Sequence, residues 1–100
     1  MSYVSKFRSK ENDALFSAIL ALDNVEECYR FFEDLMTIKE LQAISQRWEV
    51  ARMLHRGLTY HEIAASTQAS AATISRINKC LLYGAEGYTT VLKRLETGEA

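Results

Sequence analysis

The sequence predicts an all-α protein of one domain with six helices, and three observations carry that expectation. Its 100 residues include no proline, and all four glycines lie beyond residue 56, so the first half lacks the two residues that most disfavour helix. Apolar residues recur at steps of three and four along most of the chain. Helix-start signatures precede several of those stretches. The composition, 48% hydrophobic and 25% charged, is that of a folded chain rather than a disordered one. A chain of this length forms one domain with a modest core.

Residues 1–10 read as a basic, flexible arm carrying Lys6, Arg8 and Lys10. Leu15, Phe16, Ile19, Leu20 and Leu22 then mark a first helix. In "DNVEE", Asp23 or Asn24 is an N-cap with a glutamate three residues on, a capping box. The helix it opens carries Val25, Cys28, Tyr29, Phe32, Leu35 and Met36 on one face, with Phe31 outside that stripe. "TIKE" repeats the device, Thr37 capping and Glu40 returning the hydrogen bond. The third helix is the longest, with Ile38, Leu41, Ile44, Trp48, Ala51 and Leu54 as its stripe and Gly57 as its stop. Gly84 and Gly87 frame a turn, and a last helix covers residues 88–96 with Tyr88, Val91, Leu92 and Leu95.

Residues 11–57 carry more apolar surface than one small chain can cover. Phe31 beside Phe32 makes the second helix apolar around much of its circumference, which points to burial against a second copy. These are read as dimerisation helices. A two-sided core within one chain is the alternative.

Residues 59–80 are the most specific stretch. Thr59 with Glu62 is a further capping box opening a short helix over residues 60–66, and Ser70 caps a second helix through Cys80. Ile63 and Ala64, then Ala69, then Ile74 and Ile77 have the spacing of a helix-turn-helix. Ala64 lies where the helices cross and only a small side chain fits. Ile74 and Ile77 form the inner face, which leaves Ala71, Ala72, Thr73, Arg76 and Lys79 outward. Short side chains suit a helix lying in the DNA major groove: alanine methyls meet thymine methyls, and Thr73 or Ser75 bonds bases or phosphates. An ordinary helical hairpin, with alanines present for propensity, is the competing reading. At the turn, Gln68 stands where glycine is common; a positive φ there costs about 1 kcal/mol.

Net charge is −1, which argues against a general polyanion binder, but its distribution is uneven. Residues 1–36 hold four basic and seven acidic residues, whereas residues 39–80 hold six basic and three acidic. The middle of the chain is a local basic patch. Other chemistry is not supported. His55 and His61 are separated by a helix break, with no ligand-spaced cysteine or aspartate beside them, so neither a metal nor an enzyme active site is expected. Cys28 and Cys80 match no metal or redox spacing and read as buried free thiols. There is no phosphate loop, no signal-peptide pattern and no apolar run long enough for a bilayer. The expected location is the cytoplasm, with no membrane partner.

The stretch "LHRGLTYHEIAASTQASAATISR" closely resembles the helix-turn-helix of the bacterial Trp repressor, above all in "ATISR" and "RG". Upstream, "LMTIKELQAISQRWEVARML" is similar to that family's long third helix. The resemblance covers residues 12–95 and is most specific over 37–79. Within the superfamily, "EECYRFFEDL", "QRWEVARML" and "TYHEIAASTQASAATISR" resemble the YerC/YecD-type branch of Gram-positive bacteria.

That resemblance implies a six-helix, Trp-repressor-like fold in an intertwined homodimer, with two reading heads one DNA turn apart. It implies a transcriptional regulator, a repressor, bound to double-stranded DNA at a palindromic operator and reading it largely through waters and phosphates. His61 stands where the family has a base-contacting arginine, and Ala71, Ala72, Thr73 and Ser75 match its recognition-helix face; Ser70 and Lys79 flank them. The basic tail corresponds to its DNA-touching arms. The family's tryptophan pocket maps onto Thr37, Arg47, Thr73, Arg76, Ile77 and Cys80, with Arg47 and Arg76 as the arginine pair. Ile77 replaces a glycine that gives the indole room, and Cys80 replaces a serine near the amino group. The expectation is therefore no L-tryptophan response and no cofactor, with a different small-molecule corepressor left open. The rival to DNA reading is a dimeric protein-interaction module, and RNA binding ranks third because the outward helix lacks stacking aromatics.

Overall fold

The computed structural model describes residues 3–98, so the first two residues of the expected arm lie outside the described residues. Among these, six α-helices follow one another: α1 (Lys10–Leu20), α2 (Val25–Leu35), α3 (Ile38–His55), α4 (Tyr60–Thr67), α5 (Ala71–Tyr83) and α6 (Gly87–Thr97). They divide into two compact units between Ile38 and Lys39.

In the first unit, the Ser9 hydroxyl caps α1 by accepting from the Asn12 N–H at 3.0 Å. The Asn24 side chain caps α2 by accepting from the Glu27 N–H at 2.9 Å. The Glu27 carboxylate reaches past the cap to the Asp23 N–H at 2.8 Å, so the box expected at "DNVEE" closes one residue further out. Ahead of α1, the Asn12 amide donates to the Phe7 carbonyl at 2.7 Å and Arg8 pairs with Asp13 at 3.3 Å. Neither α1 nor α2 has a buried residue. Leu20, Val25 and Tyr29 are 85%, 71% and 62% exposed, while Cys28, Phe31, Phe32 and Met36 are half-buried. The α2 stripe expected from sequence thus splits, because Phe31 shares the half-buried side with Phe32, their rings edge-on at 5.4 Å.

The second unit has the core. Val50, Ala51 and Met53 of α3 meet Ile63 of α4, Ala69 of the turn, and Ile74 and Ile77 of α5. The sequence stripe on α3 includes Ala51 but neither Val50 nor Met53. At 100° per residue these three span about 160° of the helix, too wide an arc to show as a clean stripe. Gly57 ends α3 with φ +85°. The Leu58 N–H reaches the Met53 carbonyl at 3.1 Å and the Gly57 N–H reaches Leu54 at 3.0 Å, the paired bonds of a Schellman stop. Helix α5 runs past the expected Cys80 to Tyr83 and ends at Gly84, where a Cβ would stand 2.5 Å from the Cys80 carbonyl oxygen. Among the described residues, no helix is long and apolar enough to cross a membrane and no side-chain cluster suits a metal ion.

Candidate nucleic-acid interface

Helix α4 starts on the capping box read from sequence. The Thr59 hydroxyl accepts from the Glu62 N–H at 3.1 Å, and the Glu62 carboxylate accepts from the Thr59 N–H at 2.8 Å. The Thr59 N–H first, and then the Thr59 side chain, hold the Glu62 carboxyl below its ordinary value of 4.5, and His61 adds to the drop. A carboxyl depressed in the fold stabilises above its unfolded pKa and loses that contribution as pH falls through the folded one. Glu62→Gln is therefore expected to flatten the acid limb of stability below about pH 4.5, seen in thermal melts between about pH 7 and pH 3. Equal acid limbs in both proteins would remove the reciprocal box from the account.

Helix α4 ends in a turn with its own stitching. The Thr67 hydroxyl donates to the Ile63 carbonyl at 2.8 Å and accepts from the Ala69 N–H at 3.2 Å. Gln68 is left-handed, with φ 61°, so the strain anticipated at this non-glycine position is present. Its amide donates to the Ala65 carbonyl at 3.0 Å. Ser70 caps α5, its hydroxyl accepting from the Thr73 N–H at 3.1 Å and donating to the Thr73 hydroxyl at 3.0 Å.

The faces of α5 follow from 100° per residue. Ile74 and Ile77 are buried, and Ile74 is 0% exposed. Ala71, Ala72, Ser75, Arg76 and Lys79 are all exposed and fall on one continuous arc of about 140°. Thr73 and Asn78 are half-buried at the two edges of the inner face. The helix contains no acidic residue, and neither Arg76 nor Lys79 forms an ion pair among the described residues. Ser70, immediately before this arc, and His61, in the first turn of α4, are exposed. The outer surface is therefore small-residue and cationic, on a rigid apolar backing.

The proposed ligand residues are less unified. Thr37 belongs to the first unit, and Arg47, Arg76, Ile77 and Cys80 to the second. Ile77 is 4% exposed and part of the core, while Arg47 and Arg76 are exposed. Cys80 is exposed and Cys28 half-buried, both free, which corrects the expectation of buried thiols. Cys80 sits at the edge of the outer arc because the inner arc is already filled by Ile74, Ile77 and Leu81. A cavity of about 550 Å³, which the sequence reading missed, is lined by Trp48, Cys80, Ala85, Gly87, Tyr88 and Val91. Trp48 and Tyr88 stack beside it with ring centroids 6.2 Å apart. Burial lifts the Tyr88 hydroxyl above its ordinary value of 10.0, Cys80 adds to the rise, and Arg47 opposes it. Trp48 on the α3 stripe and Tyr88 after the glycine turn were visible in the sequence, but nothing there paired them across 40 residues. Sequence reasoning also missed Gln46, whose amide donates to the Thr67 carbonyl at 3.0 Å.

Residues 10–96 match the Trp repressor protein family. The chain is 54% identical over 96 residues to the uncharacterised protein YerC of Bacillus subtilis (strain 168), covering 96% of this chain and 92% of that protein. A TrpR-like protein from Eubacterium eligens superposes with a TM-score of 0.87 at 49% identity, over 91% of this chain and 94% of that one. A Staphylococcus aureus protein solved as a candidate Trp repressor gives 0.86 at 48% identity, over 91% of each chain. The all-α, six-helix architecture is shared with both.

Proposed function

Because the chain belongs to the Trp repressor family, we propose that it is a homodimeric repressor of transcription that lays α5 in the major groove at each half of a palindromic operator. The observation that carries this reading is the outer arc of α5. Ala71, Ala72 and Ser75 allow close approach to base edges, Arg76 and Lys79 supply phosphate contacts, and no acid opposes them. His61 and Ser70 extend the contact surface, and Thr73 adds a hydroxyl at its edge. Lys6 and Arg8 ahead of α1 and Lys10 at its start add basic contacts, from a segment that is tied to α1 by the Arg8–Asp13 pair and not from a free arm.

Dimerisation supplies the second reading head and covers what one chain leaves open. Two 11-residue helices with no buried residue are too short to persist without packing. Tryptophan is not the corepressor in this reading. The Ile77 side chain, 4% exposed, occupies space that a glycine would leave open, and no cofactor is needed for α5 to keep its face.

Binding of the purified protein to a duplex selected from random sequence tests the proposal. Affinity is expected to fall steeply between about 50 and 200 mM salt, and to be unchanged by added L-tryptophan. Thr73→Ala with Lys79→Ala is expected to weaken operator binding about tenfold and reduce the salt slope by about one, with helicity unchanged. Absence of any duplex binding would favour the protein-interaction reading instead.

A further inference from the structure

We infer that Gln46 is a positioning residue for DNA reading: through the Thr67 carbonyl it fixes the angle at which the α4–α5 unit stands on α3. The inference rests on the DNA-binding reading above and names a residue outside the contact surface.

The last four carbonyls of a helix have no partner within it. In α4, the Gln68 N–H takes the Ala64 carbonyl at 2.9 Å and the Gln68 amide takes Ala65 at 3.0 Å. Both partners are local. The Thr67 carbonyl instead accepts from Gln46, 21 residues earlier in sequence and on α3, in a half-buried contact of 3.0 Å. This side-chain hydrogen bond ties α3 directly to the two-helix unit.

Its position matters because the buried core shared by those elements is apolar. Val50, Ala51 and Met53 against Ile63, Ile74 and Ile77 give attraction without direction. A hydrogen bond weakens steeply when misaligned and so defines an angle. From Thr67 the fixed geometry continues in short steps. Its hydroxyl joins the Ile63 carbonyl to the Ala69 N–H, and Ser70 then caps α5. The directional bond thus enters at the pivot between α4 and α5, immediately before the outer arc begins.

A lever argument gives the scale. A helix of 13 residues is about 20 Å long, so a rotation of about 10° at the turn moves its far end by about 3 Å. Base-edge contacts tolerate about 0.5 Å. Non-specific attraction to phosphates tolerates far more. Loss of the Gln46 bond is therefore expected to reduce the fraction of molecules competent for specific reading, and the apparent specific affinity falls by that fraction.

The test uses the full chain with Gln46→Glu, which is isosteric and places an acceptor against the carbonyl, and Gln46→Met, which fills the same space without a donor. Each is measured on the selected operator and on a scrambled duplex of equal length, with amide exchange followed at Gln68 and Ala69. Either variant is expected to lose about fivefold or more in operator affinity, while scrambled-duplex affinity changes by less than about twofold. Exchange at Gln68 and Ala69 is expected to accelerate. Equal losses on both duplexes, or an unchanged operator-to-scrambled ratio in folded variants, would overturn the role of Gln46 and leave the DNA-binding reading intact. A wild-type protein that does not distinguish the two duplexes would overturn both.

Discussion

Ile74→Ala is expected to lower folding stability by about 3 kcal/mol, whereas Ser75→Ala, one residue on, changes it by less than about 0.5 kcal/mol. Ile74 is 0% exposed and lies in the cluster joining α3, α4, the turn and α5. Removing three carbons there loses their transfer energy and leaves a cavity whose walls are fixed by Val50 and Ile63, both also 0% exposed. Ser75 is exposed and its truncation removes nothing from the interior. Urea titrations measure both, with a shifted midpoint and a constant slope expected for Ile74→Ala. The contrast has a functional side. Operator binding by Ile74→Ala should fall with the folded fraction, whereas Ser75→Ala should affect binding while leaving the melt unchanged. A small loss for Ile74→Ala would mean that the cluster collapses around the gap and that α5 is less firmly backed than its burial indicates.

What could be read from the sequence was what local chemistry determines. The capping pair Thr59 and Glu62, the Ser70 cap, the Asn24 cap and the Gly57 stop each use residues within five positions of one another, and each is present. The inner face of α5 followed from Ile74 and Ile77 at a helical step. Three features had no local signal. Val50 and Met53 lie outside any single stripe because α3 is covered over too wide an arc. The Gln46 contact depends on where the turn between α4 and α5 comes to rest, 21 residues away. The cavity beside Trp48 needs α6 to bring Tyr88 and Val91 to it. Cys80 is exposed for a related reason: a helical thiol looks apolar in sequence, and only the filling of the inner arc by Ile74, Ile77 and Leu81 moves it outward.

Leu20→Glu combined with Tyr29→Glu is expected to convert a dimer into monomers and to weaken operator binding by more than about a hundredfold. Leu20 and Tyr29 are 85% and 62% exposed in the single chain, and the helices that carry them contain no fully buried residue. A second copy covering these positions would have to desolvate two carboxylates without partners, which no side-chain repacking offsets. The effect on DNA follows from linkage. Once one reading head of a dimer binds its half-site, the other meets its own at millimolar effective concentration, and that advantage is lost with the dimer. Sedimentation equilibrium should give twice the 11.4 kDa chain mass for the parent and no stable dimer for the variant. Because α1 and α2 have no core of their own, helicity should fall as well, by the share these two helices contribute, while the second unit keeps its cooperative melt around Val50, Ile63 and Ile74. A variant that stays dimeric with full operator affinity would place the interface elsewhere. The same result would make the exposed apolar residues of α1 and α2 a surface for something other than a second copy.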